Sequence, residues 1–299
     1  MKNIFLHQSV ILRKSSKKNL TQLIFLPTFW SLCFIFNSCA SKPNNEPKKV
    51  TDPDTTARTR ELQDEINIGR EVAAKLFGTY GDLNQEKKQI EYLNLVLQTL
   101  TEKTGRPEII YRVGILDSDE INAFAAPGGY ILVTKGLLKN VKNEQELAGV
   151  LAHEMGHINH RHLFKEVAPK REVSAGETLS RFLSRGGSNV SFALSQAVSK
   201  GMKTLLDEGL KPELEYEADQ SGVEYSWAAG YDPRYFREFM TRLAKTQKDH
   251  SKTLLKTHPS FEDRIKSLDV SLNSLGMKLP PPELDNTGMI KRFAVIEGK

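Results

Sequence analysis

Cysteine is nearly missing from this 299-residue chain: there are two, Cys33 and Cys39, both inside the first 39 residues. From residue 40 onward a disulfide and a cysteine-ligated metal site are therefore both excluded, and stability must come from packing. Net charge is missing too, once it is located. The formal charge is +5, but residues 1–39 hold Lys2, Arg13, Lys14, Lys17 and Lys18 and no acid. Without those five, 37 basic residues face 37 acidic ones. A neutral body lacks the basic surface that nucleic-acid binding needs, so no nucleic-acid partner is expected. What remains, 39% hydrophobic and 26% charged, is an ordinary globular composition, long enough for one large domain or two small ones.

The five basic residues open an export signal. Leu20–Phe36 is largely apolar and ends in Ser38-Cys39-Ala40, giving a basic segment, a hydrophobic segment and a small residue before the break. Cys39 is placed as in a bacterial lipoprotein signal, which predicts a lipid anchor and an exported body in the cell envelope. Phe36 stands where that pattern prefers Leu. The competing reading is an uncleaved N-terminal membrane anchor, since 17 mostly apolar residues approach the length that spans a bilayer. Residues 40–60, rich in Pro, Asn, Lys, Asp and Thr, read as a flexible tether.

From Glu61 the pattern turns helical, with Ile66, Ile68, Val72, Ala73 and Leu76 at amphipathic spacing up to Gly78 or Gly81. A second helix is predicted over about 84–103. Three strand candidates follow: 109–116, 121–125 and 130–134, the last two joined by a Pro127-Gly128-Gly129 turn. An edge of such a sheet either pairs with an extended peptide or simply packs the core.

The stretch His153-Glu154-Met155-Gly156-His157 carries the chemistry. On a helix, residues four apart share a face, so both imidazoles can reach one metal ion. Glu154 lies about 100° round, placed to act on a ligand of that ion. This is the His-Glu-x-x-His arrangement of zinc hydrolases, whose glutamate polarises metal-bound water. Acids at Glu144 and Glu146 suit the first turn of that helix, and Leu147, Val150, Leu151 and Ile158 predict a buried one.

A third ligand must come from elsewhere. The acidic run Glu213, Glu215, Glu217, Asp219 follows Pro212 at a helix start, and Glu215 and Asp219 share a face. Spacing alone does not choose among the three glutamates. His160 and His162 read as surface or supporting residues rather than metal ligands, and the polar, Gly-rich stretch 172–190 reads as a mobile loop over the cleft.

These motifs in this order resemble the HtpX/Ste-type zinc metallopeptidases (metallopeptidase family forty-eight), and most closely their exported bacterial members. The match comprises Asn122–Tyr130, His153–His157, Arg161-His162, Glu215–Asp219, Gly230-Tyr231-Asp232-Pro233, Thr257–Ser260 and Arg264-Ile265. Lys211-Pro212 departs from it, where relatives often carry Ser-Arg. The resemblance implies an α+β, mainly helical, gluzincin-like domain over 61–275, with a small sheet packed by the active-site helix; residues 276–299 lie beyond it and read as a tail. It implies one Zn2+ per chain on His153, His157 and Glu215, with Glu154 as general base and Asp219 supporting a ligand. His258 matches a histidine that in some relatives approaches the metal, so a regulatory or transition-state role is implied. The expected function is a zinc endopeptidase of the bacterial envelope acting on unfolded or misassembled envelope proteins. The rival expectation is a chaperone-like assembly factor whose zinc site is latched.

Overall fold

The computed structural model describes residues 53–82, 87–168, 187–246, 258, 261–277 and 287–296. The export signal, Cys39 and residues 172–186 of the Gly-rich stretch lie outside the described residues. The fold is α+β and mainly helical. Helix α1 spans Pro53–Tyr80, α2 Lys87–Thr101, α3 Lys135–Asn140, α4 Glu144–Asn159 and α5 His162–Val167. Then come α6 (Gly187–Lys203), which runs into a π-helical turn Thr204–Glu208, and α7 (Pro212–Ala228). Helices α8 (Arg234–Thr246), α9 (Phe261–Ser274) and α10 (Thr287–Phe293) complete the described set.

The sheet has three strands: β1 (Arg112–Leu116), β2 (Ala123–Ala126) and β3 (Tyr130–Thr134), in the order β1-β3-β2. β2 and β3 form an antiparallel hairpin, and β1 pairs with β3 in parallel, Val113 opposite Ile131. β1 is shorter than the predicted 109–116 because Ile109 and Tyr111 leave the ladder and sit in the core. Side chains alternate across the sheet as strand geometry requires. Ala123, Ala125, Ile131 and Val133 join the core built by α2, α4, α8 and α9, while Phe124, Ala126 and Leu132 join a second core under α1, α5 and α6.

Helix α4 is the centre of the molecule, with every residue from Glu144 to Ile158 buried. Its start is capped twice: Asn143 accepts from the Glu146 backbone N–H at 2.9 Å, and Glu146 accepts from the Lys142 N–H, just before the cap, at 2.8 Å. The first-turn acids are not solvated, as the dipole argument alone would allow. Glu146 pairs with Arg242 at 2.6 Å, and Glu144 pairs with Arg292 at 2.6 Å while accepting from Tyr92 and Tyr231.

Three boundaries move. Helix α1 opens at Pro53, so the last part of the segment read as tether is helical; Pro53 and Asp54 suit a helix start, which sequence periodicity could not reveal without apolar residues there. Within the segment read as a tail, α10 docks on the domain: Phe293 is buried and Arg292 reaches Glu144. The Gly-rich stretch also loses its end, since Gly187 already begins α6.

Candidate metal centre

The crossing of α4 and α7 makes the site. Small residues face each other there: a methyl added at Gly156 would lie 3.0 Å from the Cα and O of Ala218, and one at Gly222 would lie 3.2 Å from the His153 backbone nitrogen. The two helices can approach this closely only because those side chains are missing. Pro212 occupies the first turn of α7 with no side-chain cap, which answers the departure at Lys211-Pro212: the helix starts there. Of the three glutamates, Glu213 and Glu217 are exposed and Glu215 is fully buried facing α4.

His153 Nε2 and His157 Nε2 lie 3.0 Å apart. Glu215 Oε1 stands 3.4 Å from His157 Nε2, and Oε2 stands 3.6 Å from His153 Nε2. Ligands on a tetrahedral zinc ion are separated by about 3.3 Å, so the donor set fits a metal ion of this kind. Glu215 Oε1 supports that fit independently, because it is buried and accepts no hydrogen bond. His258 joins the same group, its donor atom within 4.8 Å of the others, and bonds through Nδ1 to Glu215 Oε2 at 2.8 Å.

Behind the donors stand two further charges. Asp219 accepts from His153 Nδ1 at 2.9 Å, which fixes that ring with Nε2 facing the centre. Arg264 forks onto Asp219, Nε to Oδ2 at 2.8 Å and Nη2 to Oδ1 at 2.6 Å, and its Nη1 reaches Glu215 Oε2 at 3.1 Å. Burial pushes the carboxyl of Glu154 up, only partly offset by His153 and His258. Burial also raises Glu215, but His258, His157 and Arg264 outweigh it and hold this carboxyl well below its ordinary range. Burial holds His157 well below its ordinary value, leaving a neutral ring with a lone pair to donate.

A narrow cleft opens beside Glu154, with Leu137, Val150, Phe239 and Leu243 in its lining. Its neighbour is lined by Ala123, Phe124 and Ala125 of edge strand β2 together with Glu154, His157 and His258. The centre, the acid and the sheet's last strand thus meet in one place. Sequence reasoning gave Arg264 no role, since its partners lie 45 and 49 positions away in sequence and only the paired motif with His258 pointed to it.

A helical domain that sets two imidazoles of one helix against a buried carboxylate of a second, with a glutamate and a strand edge at the opening, is a metallopeptidase architecture. Residues 87–271 match the model of peptidase family M48, more than half of the chain, and the chain belongs to that family. It is 27% identical over 292 residues to the putative beta-barrel assembly-enhancing protease of Vibrio cholerae, covering 91% of this chain and 59% of that protein. It is 28% identical over 216 residues to the mitochondrial metalloendopeptidase OMA1 of Schizosaccharomyces pombe, covering 70% and 61%. To the protease HtpX homolog of Campylobacter curvus it is 26% identical over 235 residues, covering 67% and 80%. The chain therefore spans less than two thirds of the first two relatives.

Proposed function

We propose that this metallopeptidase is a zinc-dependent endopeptidase of the bacterial cell envelope, with His153, His157 and Glu215 holding the ion and Glu154 as the catalytic base. The observation that carries this reading is the convergence of two imidazole nitrogens and the orphaned Glu215 Oε1 beside Glu154. Zinc held there supplies Lewis-acid polarisation of water and of the scissile carbonyl. Glu154 takes the proton of the attacking water and then delivers it to the departing amine. Its burial favours proton uptake, which suits a base that must become an acid within one turnover. The β2 edge holds the substrate as an added strand, and the apolar side of the cleft takes an apolar side chain next to the scissile bond. Asp219 and Arg264 act through the ligands rather than on substrate.

The lipid anchor at Cys39, the signal over 1–39 and the tether after it remain part of the proposal. Among the described residues no helix is long and apolar enough to cross a membrane. The beta-barrel assembly names of the bacterial relatives favour unfolded or misassembled envelope proteins as substrates. One observation favours a second reading, a chaperone-like assembly factor with a latched centre: His258 already sits among the donors, bonded to Glu215. Casein digestion by the purified protein separates the two. Cleavage abolished by a chelator and by Glu154→Gln establishes the endopeptidase, and faster cleavage by His258→Ala establishes the latch. Silence of both the zinc-loaded protein and His258→Ala discards the enzyme reading.

A further inference from the structure

A second set of donors lies on the far side of His157. His160 Nδ1 is 3.0 Å from Glu217 Oε1, and His162 Nε2 is 3.0 Å from Glu217 Oε2. One donor atom from each of the three residues lies within 4.8 Å of the others. The remaining nitrogen of each ring is also held: His160 Nε2 lies 2.7 Å from Ser221 Oγ, and His162 Nδ1 lies 2.9 Å from His157 Nδ1. One nitrogen free for a shared point and the other fixed by a partner is how ligand histidines are held. The backbone is bent to bring both rings to one carboxylate. Arg161 between them is the one non-glycine residue with positive φ among the described residues, at φ 59°, and its guanidinium is tied to Glu61 and Glu65. The side chain of His162 is fully buried, whereas those of His160 and Glu217 are 32% and 48% exposed, so an ion can enter from solvent and keep water in its open positions.

We propose that His160, His162 and Glu217 form a second, weaker site for a divalent transition metal, with zinc as the fitting ion. Two imidazoles and one carboxylate suit zinc, and suit magnesium or calcium poorly. This site is coupled to the first, a consequence that rests on the metal-centre reading above. With an ion on its Nε2, His157 carries its proton on Nδ1 and donates to His162 Nδ1, so His162 must carry its own proton on Nε2, facing Glu217. An ion on His162 Nε2 displaces that proton to Nδ1, and two N–H groups then confront each other across 2.9 Å. The contact must open, and His157 loses the partner that orients it. Filling the second site therefore weakens the first, and zinc in excess inhibits.

The test is zinc stoichiometry by equilibrium dialysis and elemental analysis, on the purified wild-type protein and on Glu217→Gln, His160→Ala and Glu215→Gln. Two zinc ions per chain are expected at saturation for the wild type and one for each of the first two variants. Glu215→Gln should keep the weaker ion, which shows that the second site stands without the first. Inhibition of casein cleavage by excess zinc should vanish in His160→Ala while cleavage at low zinc persists. A wild-type protein that saturates at one ion, or a Glu217→Gln protein that still binds two, overturns the proposal. Stoichiometry of two without casein cleavage would overturn only the endopeptidase reading.

Discussion

Asp219→Asn isolates what the supporting charges contribute to the centre. The carboxylate of Asp219 is fully buried and makes three contacts, to His153 Nδ1 at 2.9 Å and to Arg264 at 2.8 and 2.6 Å. Asparagine keeps the volume and one acceptor oxygen, but it turns an –NH2 group toward a donor. Removing one partner of a buried ion pair costs about 3–5 kcal/mol. Arg264 retains Glu215, so the lower end, about 3 kcal/mol, is expected. Loss of a ligand's supporting partner costs roughly 10–100-fold in metal affinity. That corresponds to about 1.4–2.7 kcal/mol. Arg264, left with Glu215 alone, adds to this by competing for Oε2. The sign with pH is fixed: burial raises Asp219, but Arg264 and His153 outweigh it and depress its folded pKa. Its stabilisation is therefore complete above the ordinary aspartate value and is lost as pH falls through the depressed one. The wild-type-to-variant gap should be constant at neutral pH and close in strong acid. Zinc affinity by competition with a chromophoric chelator, and urea unfolding in the presence of EDTA, measure the two effects separately. A variant with zinc affinity within threefold of wild type would refute the role given to Asp219.

Glu154→Gln should retain zinc and lose roughly 10²–10⁴-fold in kcat, measured by casein or peptide cleavage. Glu144→Ala leaves the buried Tyr92 and Tyr231 hydroxyls without their shared acceptor and should cost about 1–3 kcal/mol for each in urea unfolding. Arg292→Ala at the half-exposed end of its pair with Glu144 should also destabilise, since it strands a buried carboxylate, and a loss under 1 kcal/mol would show that α10 is not anchored through it.

The readable part of this molecule is what lies within one helix. Helical geometry alone puts His153 and His157 on one face, and the burial of α4 follows from apolar residues at three- and four-residue steps. What periodicity cannot give is which neighbour covers a face. Glu213, Glu215 and Glu217 are equivalent by composition; the choice falls on Glu215 because Ala218, Asp219 and Gly222 share its face and α4 packs there. The same limit hid Arg264, the docking of α10 through a pair spanning 148 positions, and the parallel pairing of β1 with β3. It also hid the carboxylate that joins His160 to His162, since Glu217 looks solvated in any reading of α7 by itself.

The placement of Glu215, the proposed third ligand, depends on missing side chains at the helix crossing. Gly156→Ala adds a methyl 3.0 Å from two backbone atoms of Ala218, a contact neither helix can relieve by rotating a side chain. The helices must move apart by a few tenths of an ångström, carrying Glu215 away from His153 and His157. In a helix interior this exchange should otherwise stabilise by about 0.5–1 kcal/mol. Opposite signs are therefore expected from two hypotheses. If the close approach matters, the variant binds zinc more weakly and unfolds more easily; if propensity dominates, both improve. Zinc affinity decides between them, because helix propensity has no reason to lower it.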